Sequence, residues 1–333
     1  MSAPEVQKAL ILAAKGAPYT VSVRPVPKPG PGEVLVKIYS AALNPVDNYI
    51  QSAGLFVEAW PAVAGSDAAG VVEELGAGVV GLSKGDRVFY QCLYTADRGA
   101  FQHTVPLGLA TAALGMCGTG KRGARGGAEL YPPWEAGGRG KYSNQPAIII
   151  GGASSVGQFA TQLAKLSGFN PIITTCSAHS AAYCTSAGAT HTIDYHSIPY
   201  SALLPAVRAI TSKPVPFIYD AIASEESQRA CWDILAPHGC LVVTATPVVG
   251  EPGREAEDGR RLEWVFGNVH IPVNKEVGEA MYKCLTGLLE EKAIKPNRVE
   301  VVPGGLAGVT EGLKRLAKGV SGVKLVVHPQ ETP

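Results

Sequence analysis

"IIIGGASSVGQFATQLAKLSG", residues 148–168, decides the fold. A β-branched run leads into a Gly/Ser turn, and beyond the turn apolar residues recur at helical spacing. Counted from Gly152, the turn reads G-A-S-S-V-G. Gly152 and Gly157 take the first and third places of a G-x-G-x-x-G pattern, with Ser154 in the second. The first glycine permits a tight turn out of a strand, and the third permits close helix-to-strand packing. The N–H groups opening the helix at Ser155 and Val156 then point at a pyrophosphate. The hydroxyl of Ser154 is a further donor, although its Cβ stands where a backbone would approach the phosphate. A strand-turn-helix made of small residues, with no nucleotide, is the competing reading. A nucleophile elbow, G-x-S-x-G, needs a second glycine where Val156 stands, which argues against a serine hydrolase.

Outward from the turn, residues 147 to about 245 alternate strand-like runs ("NPIITTCS", "HTIDY", "VPFIYDAI", "CLVVTATPV") with helical stretches ("AAYCTSAGA", "SALLPAVRAIT", "ESQRACWDILAPHG"). That rhythm predicts βαβ units and a parallel sheet. Residues 6–108 instead alternate short Val/Ile/Leu runs with Gly/Pro turns such as "PKPGPGE", the pattern of a mostly β domain. The tail predicts two amphipathic helices, "EVGEAMYKCLTGLLEEKAI" and "GGLAGVTEGLKRLAKG", and a last strand, "VKLVVHP". This tail is placed so as to return and complete the first domain.

With 333 residues, 46% of them hydrophobic, the chain is long enough for two cores. A formal charge of +1 supplies no basic surplus for phosphate backbones or anionic lipid, so nucleic acid and membrane partners are not expected. No run reaches membrane-span length, and "MSAPEVQKALILAAKG" does not read as a secretory leader, which predicts a cytoplasmic protein. Seven scattered cysteines without a C-x-x-C pair predict reduced thiols and no structural zinc site. The seven histidines form no ligand pair, so no residue is assigned to metal.

About twenty residues past the glycines a NAD site places an acid on the adenosine ribose. Here the chain reads "TTCSAHSAAYC". With no carboxylate to repel a 2′-phosphate, and with Ser177, His179 and Ser180 able to donate to one, NADPH is the expected cofactor. The same small polar residues would also serve as plain caps of the next helix.

Five segments together carry a family resemblance: "SAALNPVDNYIQSAG" (40–54), "AGSDAAGVVEELG" (64–76), "LGAGVVGLSKGDRVF" (75–89), "GGASSVGQ" and "SGVKLVVHP". They resemble the medium-chain dehydrogenase/reductase superfamily, in its zinc-free quinone-reductase and fungal trans-acting enoyl-reductase branch. The resemblance covers nearly the whole chain. It implies an α/β protein in two parts: a GroES-like, mostly β catalytic domain (1–108 and 269–333) and a Rossmann-type doubly wound parallel-sheet domain (109–268), with NADPH in the cleft between them. Zinc-dependent members supply a cysteine where this chain has Asn44, and Gly-His-Glu where it has Gly65-Ser66-Asp67. Those replacements lack the thiolate and imidazole that catalytic zinc wants. Metal-free chemistry of this branch is hydride addition to a C=C bond conjugated to a carbonyl.

The resemblance also assigns roles. "NPVDNYIQ" resembles the zeta-crystallin type of quinone reductase, in which the matching Asn and Tyr line the nicotinamide pocket. It makes Tyr49 a hydrogen-bond donor or proton source, Asn44 an orienting amide and Asp47 their neighbour. Tyr49 as a mere pocket wall and Asn44 as a turn former before Pro45 are the alternative readings. Asp67 is expected to support backbone amides. Ser177 and Tyr195 are placed at the 2′-phosphate, although the family's usual lysine is Thr185 here. Ala221 and Thr244, at the ends of later strands, flank the dinucleotide. Lys324 either approaches the active cleft or sits on an ordinary surface strand.

Two departures from the family pattern stand out. A segment is missing where "GAFQHT" joins "VPLGLATAALG" near 104–105, and a Gly-rich, basic loop is inserted at 117–146. The loop reads as a structureless connection, serving as entry flap, dimer contact or solvated loop. Three functions follow: a reductase of free enones, enoyl thioesters or quinones; a trans-acting enoyl reductase partnered with a polyketide synthase; or a non-catalytic NADPH-binding protein. A homodimer is expected by resemblance, through the region of "FGNVHIPV" (266–273).

Overall fold

In the computed structural model, residues 4–92, 106–119 and 126–333 are described. The join near 104–105 and residues 120–125 of the insert lie outside them. In chain order the elements are β1 (Val6–Leu12), β2 (Tyr19–Pro25), β3 (Val34–Ala42), α1 (Pro45–Ala53), β4 (Ala62–Val63), β5 (Asp67–Leu75) and β6 (Arg87–Gln91). Then come α2 (Pro106–Cys117), β7 (Ala147–Ile150), α3 (Ser155–Leu166), β8 (Ile172–Cys176), α4 (Ala181–Ala187), β9 (His191–Asp194), α5 (Leu203–Ile210) and β10 (Val215–Asp220). The chain closes with α6 (Glu225–Ile234), β11 (Leu235–Val243), β12 (Arg261–Trp264), α7 (Pro272–Glu290), β13 (Val299–Val301), α8 (Val309–Lys318) and β14 (Lys324–Val327).

The chain divides into two compact units, 1–107 with 298–333 and 108–297. The first holds a three-stranded sheet, β2-β1-β4, and a five-stranded sheet, β13-β14-β3-β5-β6. In the latter only β13 and β14 pair in parallel. Its core joins Leu10, Leu12, Leu43 and Ile50 to Leu306, Leu313, Leu325 and Val327 from the tail. The second unit is a six-stranded, all-parallel sheet in the order β12-β11-β10-β7-β8-β9. Numbered within the unit and read from β9, this is 3-2-1-4-5-6, the doubly wound order that reverses between β7 and β10. Its strands are buried on both faces, and Ile148, Ile149 and Ile150 are 0% exposed, which accounts for their unbroken apolar sequence.

Three sequence-based expectations differ from the structure. Segment 269–297 belongs to the second unit, because Asn274 donates to the carbonyls of Phe266 and Asn268, and Gln162 of α3 brackets the backbone of Lys295. The helix expected through "LAPHG" stops at Ile234, where Leu235 takes extended φ/ψ and opens β11. Pro237 and Gly239 suit a bulged strand better than a helix interior. Finally, residues 126–132 bond their backbone to the end of α2, as Ala128 N to Gly115 O and Leu130 N to Met116 O, and residues 133–144 form successive turns, with the Tyr142 ring stacked 5.0 Å from Phe169. The stacking of half-buried Tyr142 on buried Phe169 and the turn hydrogen bonds order this part of the insert.

Candidate functional site

Two constellations of polar groups stand out, one in each unit. In the second unit the chain leaves β7 at the point where strand order reverses, where open parallel sheets bind ligands. Gly151, not Gly152, adopts the left-handed conformation of the turn, at φ +73°. Gly152 is held to glycine by space, since a Cβ there would lie 2.0 Å from Thr174 Oγ1. At Gly157 a Cβ would lie 2.2 Å from the Gly151 carbonyl oxygen. The turn is braced from below by Thr175, which accepts from Gly151 N through its hydroxyl and from Gly152 N through its carbonyl, both at 3.0 Å. Gln158 donates back to Gly152 O at 2.8 Å.

Ser154 caps α3 by accepting from Gly157 N at 3.0 Å, a bond that uses a lone pair and leaves the hydroxyl proton to give. The amides of Ser155 and Val156 open the helix, where no intrahelical carbonyl is within reach. A tight glycine turn whose helix amides are free of intrahelical partners, at the positive end of a twelve-residue helix, fits a dinucleotide pyrophosphate. Beyond β8, buried Ser177 lies 3.3 Å from Nε2 of exposed His179 and 3.5 Å from Ser180 Oγ. Asp194, the last residue of β9, commits its carboxylate to His196 N and Ser197 Oγ in the turn that follows. Tyr195 is half-exposed against the His196 ring, and the Thr244 hydroxyl reaches the Asp220 carbonyl at 3.5 Å. Ala221 N closes the β10 end on Ile150 O at 3.2 Å.

The first unit buries a charged network around the start of α1. Asn44 ends the extended chain before Pro45, whose fixed φ suits the first helical position. Asp47 reaches back as the third helical residue and accepts from Asn44 N at 2.8 Å, while Ser66 Oγ donates to its other oxygen at 3.0 Å. Asn44 Nδ2 donates to Asp67 Oδ2 at 2.9 Å, and Leu107 N donates to Asp67 Oδ1 at 2.9 Å. Lys324, the first residue of β14, donates its ammonium to Asn44 Oδ1 and lies 3.9 Å from Asp67 Oδ2. Asp47 and Asp67 are 0% exposed and Lys324 8%.

Burial pushes the Asp47 carboxyl up to about 7, against the pull of the Asn44 amide and the Ser66 hydroxyl. Burial also raises Asp67 and lowers Lys324, and the attraction between the two opposes both shifts. Of the three residues expected at the chemistry, Asn44 and Asp47 meet here. Tyr49 does not: two residues past Asp47 on a helix it faces about 200° away, and it is 58% exposed. Lys324 sits in this first-unit network, and its burial removes the surface-strand reading. Asp67 supports a backbone amide as expected, at Leu107, but its ion pair was not read from sequence. Lys324 and Asp67 are 257 positions apart, and nothing local signals their pairing.

Zinc does not fit this network. Among the described residues no group of three His, Cys, Asp or Glu side chains could hold a metal ion. An ammonium already bonded to Asn44 and paired with Asp67 repels a dication at the same donors.

The doubly wound unit with its glycine cradle and the strand-rich unit beside it in sequence define a nicotinamide-dependent class of oxidoreductase, and two family models agree. Residues 30–135 match the alcohol dehydrogenase GroES-like domain, and residues 155–264 match the zinc-binding dehydrogenase domain. The chain belongs to the medium-chain dehydrogenase/reductase superfamily. It is 32% identical over 358 residues to the trans-enoyl reductase tndF of Aspergillus flavipes, covering 96% of this chain and 98% of that one. It is 26% identical to the trans-enoyl reductase grgB of a Penicillium species, over 98% of this chain and 99% of that one. Among solved structures, the quinone oxidoreductase of Coxiella burnetii has the same fold, with a TM-score of 0.67 at 23% identity over 97% of this chain and 99% of that one.

Proposed function

We propose that the protein is an NADPH-dependent, metal-independent reductase of a C=C bond conjugated to a carbonyl, in an enone, enoyl thioester or quinone. One observation carries the reading: the Lys324 ammonium is bonded to Asn44 and paired with Asp67, at the positions where the resemblance puts the zinc ligands of zinc-dependent members. Without a Lewis acid, the favoured substrate is one whose own carbonyl accepts the charge that develops on hydride addition. When bound, the dinucleotide supplies that hydride.

The chain's own residues have separable tasks. Gly151, Gly152 and Gly157 let the backbone approach a pyrophosphate, and the amides of Ser155 and Val156 with the Ser154 hydroxyl donate to it. Ser177, His179 and Tyr195 offer donors to a 2′-phosphate, and the end of β8 carries no carboxylate to repel one. Asn44 is held in one rotamer by Lys324 and Asp67, so its amide is pre-oriented. Exposed Tyr49 is the candidate donor to the substrate carbonyl, and its loss tests that role.

The trans-enoyl reductases among the relatives support a specific form of this reading, in which the substrate is a chain carried by a polyketide synthase. Titration with NADPH and NADH, followed by addition of enones, quinones and enoyl thioesters, tests it. Preferential NADPH binding and its consumption by one of these classes supports the reductase, and Tyr49→Phe then lowers turnover with cofactor affinity unchanged. Turnover only of carrier-bound thioesters supports the synthase-partnered form. Binding without consumption of any substrate overturns the catalytic reading in favour of a non-catalytic NADPH-binding protein.

A further inference from the structure

Segment 295–297, at the end of the second unit, is fastened along α3 in a way that the glycine pattern does not explain. Gln162 receives Lys295 N on Oε1 at 2.7 Å and donates Nε2 to Lys295 O at 3.1 Å. Two turns nearer the start of the helix, and on the same face, Asn297 donates Nδ2 to Ser155 Oγ at 2.5 Å, with the Ser155 carbonyl at 3.4 Å. Gly108 packs close to the same hydroxyl, since a Cβ there would lie 2.5 Å from Ser155 Oγ. The hydroxyl is therefore fixed in place, and it acts as an acceptor toward Asn297.

An oxygen that accepts from an amide keeps its own proton to donate, and accepting polarises that O–H. Ser155 stands at the first position of α3, where the helix favours negative charge. We propose that Asn297 is a positioning residue for the dinucleotide pyrophosphate: by donating to Ser155 Oγ it commits the Ser155 proton to the phosphate. The proposal rests on the cofactor reading above. Asn297 is half-buried, and its other amide atom, Oδ1, is buried with no hydrogen-bond partner among the described residues, so the bond to Ser155 is what its side chain makes here.

The test compares NADPH, which carries the pyrophosphate, with 2′-AMP, which does not, on the full-length protein; if only NADH binds, the pair is NADH and adenosine. Asn297→Ala is expected to weaken NADPH roughly tenfold, and Asn297→Asp more, because a carboxylate would take the Ser155 proton and repel the phosphate. Affinity for 2′-AMP should not change. In Ser155→Ala the Asn297→Ala change should add nothing, the non-additivity expected of residues that act through one another. Asn297→Ser, smaller but still able to donate, serves if Asn297→Ala does not fold, and should retain part of the affinity. Equal losses for NADPH and 2′-AMP, or wild-type NADPH affinity in Asn297→Ala and Asn297→Asp, overturn the proposal. If the wild-type protein binds neither dinucleotide, the cofactor reading itself fails and this inference falls with it.

Discussion

Replacing Lys324 by Met tests the buried network most directly. The change keeps most of the stem and deletes the ammonium that bonds Asn44 Oδ1 and lies 3.9 Å from Asp67, leaving a carboxylate of 0% exposure without that counter-charge. Removing one partner of a buried pair costs about 3–5 kcal/mol. For a chain of this size each kcal/mol lowers Tm by about 2–4 °C, so the fall should be about 6–20 °C by calorimetry or circular dichroism. Without the ammonium, burial acts on Asp67 with less opposition and holds its native carboxyl further above the unfolded value. The native state then binds more protons than the unfolded one, so stability falls as pH rises, and the variant should suffer less at pH 5 than at pH 8. Adding Asp67→Asn removes the stranded charge and should restore much of the lost Tm. A single variant within about 2 °C of wild type at pH 7, or a double variant no better than the single, would refute the claim that Lys324 neutralises Asp67.

Gly157→Ala places a Cβ 2.2 Å from the Gly151 carbonyl oxygen and should destabilise the second unit by about 1–3 kcal/mol while weakening dinucleotide binding, as unfolding and titration will show. Asp47 is protonated in the native state up to about pH 7 but only to about pH 4 when unfolded. Its contribution is therefore fully present below pH 4 and lost as pH rises through 7, with a slope of about 1.4 kcal/mol per pH unit between. Asp47→Asn should flatten that slope in urea midpoints measured across the range. Dialysis against a chelator should leave Tm and turnover unchanged, and a loss that zinc restores would overturn the metal-free assignment.

Much of this architecture was legible because its signals are local. The unbroken Ile148–Ile150 run, the small residues that follow and the helical period beyond them mark a buried parallel strand turning into a helix, and steric rules make the turn glycines readable one by one. Even there, only the backbone showed that Gly151 carries the positive φ while Gly152 is constrained by Thr174. The absence of a cysteine at 44 and a histidine at 66 could be seen without coordinates. What fills their place could not. Lys324, Asp67 and Asn44 meet through the pairing of β14 with β3 and of β3 with β5, and Asn297 meets Ser155 across 142 positions. The sequence by itself determined most element types and the βαβ alternation, because period and sterics act over a few residues, while the resemblance it carries implied the doubly wound sheet and the missing zinc ligands. Only tertiary structure decided which charges neutralise one another and which hydroxyl proton is left to give, because burial and hydrogen-bond partnership exist only once distant segments are packed together.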